Sequence, residues 1–261
     1  MGTSGAYGGS GAGAWDAAHD VYQQAAGQPG SPPPVEKVVA ALMAALRRTN
    51  RATAAAPGSY AAAATAPARG SASGGYTRSS TAGSAGGGGS STGLGRRAAR
   101  GATAVGGAQA YRTRDASALA DLGLDLAALD ALPSDRARCA AIADALLGAP
   151  AHPEDAALKA AAIQTMMDAL KNTDELSSEE LVERFTANLT YELVLVELTS
   201  QRRAAAVRPK DAAKTETRIK KYIRASLRTA RGRAERLSTQ GLVDGADALA
   251  SRVINIFGRK P

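Results

Sequence analysis

The sequence predicts an all-α protein: a C-terminal helical bundle preceded by a short helical N-terminal segment and a long disordered linker rich in Gly, Ala, Ser and Arg. Three observations predict it. Apolar residues recur at three- and four-residue spacing through most of the chain after about residue 115, the spacing that lines one face of an α-helix. Residues suited to helix starts (Asp115, Asp125, Ser134 and Ser177) stand just before these periodic runs. Roughly a quarter of the chain is Ala, which builds helices but little core, and only two Phe, one Trp and seven Tyr are present. The expected divisions are a flexible tail over 1–14, short helices over 15–48, a disordered linker over 49–114 and the bundle over 115–261.

Taken in order, Trp15 to Ala26 makes a short helix with Trp15, Ala18, Val21 and Tyr22 on one side. The segment QPGSPPP breaks it, and Pro33 or Pro34 suits the first turn of a helix from Val35 to Arg48. Val35, Val38, Val39, Leu42, Met43 and Leu46 form its apolar stripe. From Thr49 to about Gly95 the mixture of Ala, Gly, Ser and Thr cannot bury enough surface to offset the entropy of ordering. The Gly run there is no phosphate loop, since no Gly-Lys-Ser/Thr follows it. Arg96, Arg97, Arg100, Arg112 and Arg114, interleaved with Tyr111, read as a basic continuation of the linker that could touch phosphate.

Asp115 then opens a short helix through Leu122, Asp125 to Leu132 makes a second, and Ser134 caps a third that ends before Gly148. Pro153, Glu154 and Asp155 start the next, along which Leu158, Ala162, Met166 and Leu170 repeat every four residues. Ser177 and Glu180 form a capping box at the head of the most apolar helix. There Leu181, Phe185, Leu189, Leu193 and Val196 share a face, and Tyr191, Val194, Leu195 and Leu198 widen it into a central, buried element. A helix from Pro209 to Leu237 turns Ile219, Ile223 and Leu227 inward, leaving Arg218, Lys221, Arg224 and Arg228 as an outward basic face, a possible partner or phosphate-binding surface. The last helix runs from Val243 to Phe257.

The net charge is +8 and the pI about 9.8, but the charge is segregated. Residues 115–197 sum to about −11 and residues 202–236 to about +10. Either the two stretches complement one another within the fold or between subunits, or the basic helix binds phosphate or an acidic partner. The one cysteine, Cys139, precludes an internal disulfide, fits a cytoplasmic location, and reads as a small buried side chain. His19 and His152 have no partner at metal-ligand spacing, and no nucleophile elbow, phosphate loop or HExxH motif occurs. We therefore expect a protein that is not an enzyme, holds no metal and, lacking an apolar run of about 18 residues, has no membrane span.

The opening MGTSGAYGGS has no cation before Lys37 and no apolar run, so it does not read as an export signal. Ala6 stands where a myristoylation pattern needs Ser or Thr. Once Met1 is trimmed, Gly2 carries an α-amine of reference pKa about 7.7 to 8.0, so roughly a fifth of it is unprotonated at neutral pH, against about one lysine in a thousand. Lacking a Cβ, glycine also lets an enclosed pocket bring its backbone close to an activated acyl group.

Gly2, Thr3, Ser4, Tyr7, Gly8 and Gly9, the Gly/Ala/Arg-rich middle, the GLDL stretch from Gly123 to Leu126 and the helical C-terminal half together resemble the QatB family of Qat antiphage defence systems. In place of a Pro-rich continuation after the opening, this chain has GSGAGAWDAAHDVY. The resemblance implies that a QueC-like partner, QatC, activates the carboxylate of a 7-deazaguanine with ATP and joins it to Gly2 as an amide, with Thr3, Ser4 and Tyr7 supplying recognition. It also implies an ATPase and a TatD-like nuclease in the same system, and no bound cofactor other than the covalent adduct. The alternative expectation is a basic helical nucleic-acid-binding accessory protein, using the Arg-rich segment and the face of Arg218, Lys221, Arg224 and Arg228.

Overall fold

The computed structural model describes residues 12–27, 33–54, 93–171, 176–200, 209–230 and 239–258. Among the described residues the chain is all-α, with ten helices and no strand. They are α1 (Ala12–Gly27), α2 (Val35–Ala54), α3 (Gly93–Arg112), α4 (Ala116–Asp121), α5 (Leu126–Asp130), α6 (Asp135–Leu147), α7 (Pro153–Lys171), α8 (Ser178–Ser200), α9 (Pro209–Ala230) and α10 (Thr239–Gly258).

Local chemistry sets half of the described helix starts. The Asp115 carboxylate accepts from the Ala118 amide, Asp125 from Ala127 and Ala128, and the Ser134 hydroxyl from Ala137. Each satisfies amide donors that a first turn leaves without an intrahelical acceptor. At α8 the capping box is reciprocal: the Glu180 amide donates to Ser177 Oγ at 3.2 Å, and the Ser177 amide to Glu180 Oε2 at 3.3 Å. The carbonyl of Pro34 accepts from the amides of Lys37 and Val38, so α2 begins where the proline suggests. At the end of α6, Gly148 takes a φ of +75°, and its amide closes on the Asp144 carbonyl at 3.0 Å.

The central element is α8, as its breadth of apolar residues implies. Leu181, Phe185, Leu189, Leu193 and Val194 are all buried, and α7, α9, α10 and α3 surround it. The same core takes in Trp15, Ala18 and Tyr22 of α1 and Val38, Val39, Leu42 and Met43 of α2. Helices α1 and α2 pack on each other and on α9, and α2 also meets α10 and α3, so the bundle begins at α1 and not at residue 115.

The largest correction concerns the linker expected over 49–114. Residues 49–54 complete α2, and Gly93–Arg112 form α3, a helix packed against α10, α7, α6, α8 and α2. Residues 55–92 lie outside the described residues. The low complexity that suggested disorder is what lets α3 fit. Ala98, Ala102, Ala104, Val105 and Ala108 are buried, and their small side chains bring neighbouring helices close to its axis. At Gly101 even a Cβ would strike the Phe185 ring and come within 2.7 Å of Leu158 Cδ1.

The start of α1 also shifts. Helix α1 takes in Ala12 to Ala14 from the expected tail. The expected end of α9, from 231 to Leu237, lies outside the described residues, as do the side chains of Ile256 and Phe257 in α10.

Candidate functional site

Gly2, Thr3, Ser4 and Tyr7 lie outside the described residues. The expected basic face of Arg218, Lys221, Arg224 and Arg228 lies on α9, whose two sides differ in character.

Towards the bundle, α9 joins a polar seam with α7 and α8. Asn188, fully buried on α8, donates from Nδ2 to Thr165 Oγ1 at 3.0 Å and accepts from Arg224 Nη2 at 3.0 Å. Thr165 in turn donates to the Ala161 carbonyl at 2.8 Å. Arg224 also lies 3.9 Å from Asp168, and Arg228 lies 3.8 Å from the buried Glu183. One turn earlier, Lys220 donates to Gln164 Oε1 at 3.0 Å and sits 4.8 Å from the centre of the Tyr191 ring. Burial, with the nearby Arg224 guanidinium, lowers the Lys220 pKa. Burial also pushes the Tyr191 phenol up to about 12, with Glu216 and Glu192 adding to the shift. Tyr22 of α1 donates to Glu216 at 3.3 Å, tying the first helix to α9.

This placement corrects the expected face. Arg218 and Lys221 point outward, and Arg228 is largely exposed with its side chain 78% accessible, but Arg224 turns in. A helix advances about 100° per residue, so Arg224, one past the buried Ile223, falls on the flank facing α7 and α8. Lys220, one past Ile219, does the same, and sequence reasoning missed it. The signal was available in the inward stripe itself, because the positions just after each buried residue are flank positions. Asn188 and Thr165 gave no such signal, since their pairing joins two helices through contacts between residues 23 apart.

The segregated charges meet within the molecule. They do so in the pairs that α9 makes with Asp168 and Glu183, and cations of α3 reach the acidic stretch as well: Arg97 lies 4.0 Å from Glu154 and Arg100 lies 3.8 Å from Asp155, joining the start of α3 to the acidic first turn of α7. Arg100 also donates to the Leu147 carbonyl at 2.6 Å, beside Lys159, which reaches Asp144 and the Gly148 carbonyl. Arg114 reaches both carboxylate oxygens of Asp130 at 2.5 and 2.6 Å and stands over the Tyr111 ring. Its φ of +58° at the end of α3 is a conformation more usual for glycine. Arg97, Arg100 and Arg114 thus make contacts within the fold and do not belong to a linker.

Among the described residues no group of three or more His, Cys, Asp or Glu side chains is placed to hold a metal ion. Among the same residues no helix is long and apolar enough to cross a membrane. His19 is buried in α1 and His152 is exposed before α7. A shallow surface depression lies along α1 at Asp20, Val21, Gln23, Gln24 and Gly27. No protein-family model matches the chain, and neither a curated protein nor a solved structure does.

Cys139 is fully buried in α6, and burial, reinforced by Asp135, pushes its thiol up to about 11. At pH 8 only roughly one thiol in a thousand is then thiolate, against about a quarter at the ordinary cysteine pKa of about 8.5. Iodoacetamide should therefore label native protein at least about a hundredfold more slowly than urea-unfolded protein, read by mass spectrometry. Comparable rates in the two states would place the thiol at the surface.

Proposed function

We propose that this chain is a nonenzymatic, cytoplasmic component of a bacterial antiphage defence complex, and that its N-terminal glycine, once Met1 is removed, is conjugated to a 7-deazaguanine by a QueC-like partner enzyme. The observation that carries the reading is the opening GTSGAYGG, in which Gly2 supplies the amine and Thr3, Ser4 and Tyr7 the recognition groups. An α-amine is far less protonated at neutral pH than an ordinary lysine, so it is a ready nitrogen nucleophile. In the reaction the Gly2 nitrogen attacks the ATP-activated carboxyl carbon, an amide C–N bond forms, the activating group leaves, and the amine gives up a proton. The partner provides activation and catalysis. The helical body, with its N-terminal helices tied into the bundle through Tyr22 and Glu216, would present this terminus and dock the remaining components, an ATPase and a TatD-like nuclease.

Coexpression with the QueC-like enzyme tests this. Intact-mass and N-terminal peptide analysis should show Met1 lost and Gly2 carrying the added mass, absent when the chain is expressed alone. Gly2→Pro, which replaces the primary amine with a hindered secondary one, should abolish the adduct. Lys221→Glu on α9 should leave it intact. An unmodified Gly2 in the presence of active partner, or an adduct elsewhere in the chain, overturns the reading.

A further inference from the structure

The structure separates the cations of α9 into two sets. Lys220, Arg224 and Arg228 have partners on α7 or α8. Lys210, Lys214, Arg218 and Lys221 are exposed, and none of the four enters an ion pair among the described residues. They recur at four, four and three residues, so they lie along one outer side of the helix, and the paired Arg228 stands in the same line two turns further on. Like charges at this spacing repel and weaken a helix slightly, so the fold gains nothing from collecting them there.

We propose that this outer line of α9 is a binding surface for the phosphate backbone of nucleic acid, without base specificity. The line from Lys210 to Lys221 covers about 16 Å of helix, which matches roughly five phosphates of one strand at about 3.4 Å each. Among the described residues, the exposed side chains of α9 are Lys, Arg, Ala and Thr. Small residues between the cations let the helix approach a polyanion closely. The same composition disfavours a protein partner, because protein interfaces centre on desolvated aromatic and aliphatic anchors and are depleted of Lys. Lysines on flexible stems suit point contacts with phosphate, and base reading needs planar, fixed donors that this line largely lacks. The surface is distinct from the conjugation at Gly2, and neither requires the other.

Fluorescence anisotropy of the full chain with labelled 20-nucleotide single-stranded and duplex probes tests it. Four phosphate contacts predict an affinity that falls by about 50- to 150-fold as salt rises from about 50 to 200 mM. Replacing Lys210, Lys214, Arg218 and Lys221 together with Gln should flatten the log–log salt slope by about 3 to 4, and the Lys210→Gln, Lys214→Gln double variant by about half of that. Gln keeps helix propensity, and circular dichroism checks that helicity is unchanged. A charge-matched control changes Lys37, Arg48, Arg96 and Arg252 to Gln, all exposed on α2, α3 and α10, and should retain most of the slope. The proposal is overturned if the wild-type chain fails to bind at low salt, or if the control loses as much slope as the α9 variant. It is also overturned if a polyglutamate peptide displaces the probes at equal charge concentration, which would assign the line to an acidic protein.

Discussion

Gly101→Val should lower the stability of the folded protein by about 3 kcal/mol, the upper end of what overpacking a close-packed core costs. In an exposed helix a side chain in place of glycine is gained stability, about 1 kcal/mol for alanine. Here the sign reverses, because a Cβ at position 101 meets Phe185 Cζ, with Phe185 Cε2 at 2.9 Å and Leu158 Cδ1 at 2.7 Å. Phe185 is itself 1% exposed, held between helices, so its ring has nowhere to retreat. Thermal melting followed by circular dichroism should show a drop of roughly 6 to 12 °C, at about 2 to 4 °C per kcal/mol for a domain of this size. Gly27→Ala, where no atom lies within 4 Å of the new Cβ, should change stability by less than about 0.5 kcal/mol. Phe185→Ala alone should cost about 3 to 5 kcal/mol, and less in the Gly101→Val background, since the valine occupies part of the space that the ring leaves. Additive costs would mean that α3 does not lie against α8 in the way described.

Asn188→Ala should cost about 1 to 3 kcal/mol in urea unfolding, through the polar groups that it leaves behind. Asn188 bridges Thr165 and Arg224, and both lose a partner when it is removed. Arg224→Ala should cost less, because that side chain is 41% exposed and its ion pair with Asp168 at 3.9 Å is screened by solvent. The double variant should cost less than the sum, by about 0.5 to 1 kcal/mol, because the Asn188–Arg224 hydrogen bond is lost only once. Strict additivity would show that the two side chains do not meet. The same cycle separates the inner cations of α9 from the outer ones. Neutralising Lys214 or Lys221 should leave stability within about 0.5 kcal/mol of wild type, since among the described residues neither has a partner to lose.

Such effects mark the division between what is local and what is not. The helix starts at Asp115, Asp125, Ser134 and Ser177 were legible because a capping side chain and its amide are two or three residues apart, and that chemistry is complete within the segment. The buried stripe of α8 and the inward stripe of α9 were legible for a related reason, as helical geometry converts spacing directly into facing. The candidate site was only half visible. Periodicity showed that α9 carries cations away from its apolar stripe, but the choice between pairing and exposure depends on which helices lie alongside.

By itself the sequence determined the helical class, the starts of most helices, and the position of α8 at the centre, because hydrogen-bond capping and helical periodicity act within a few residues. Tertiary structure alone decided that Gly93–Arg112 is a packed helix, that Arg224 points into the seam with Asn188 while Lys214 and Lys221 point out, and that the acidic and basic stretches partly neutralise one another. Small residues carry almost no burial signal of their own. Their worth comes from the large neighbours that they let in, and those neighbours, Leu158 and Phe185 for Gly101, are more than fifty residues away in the chain.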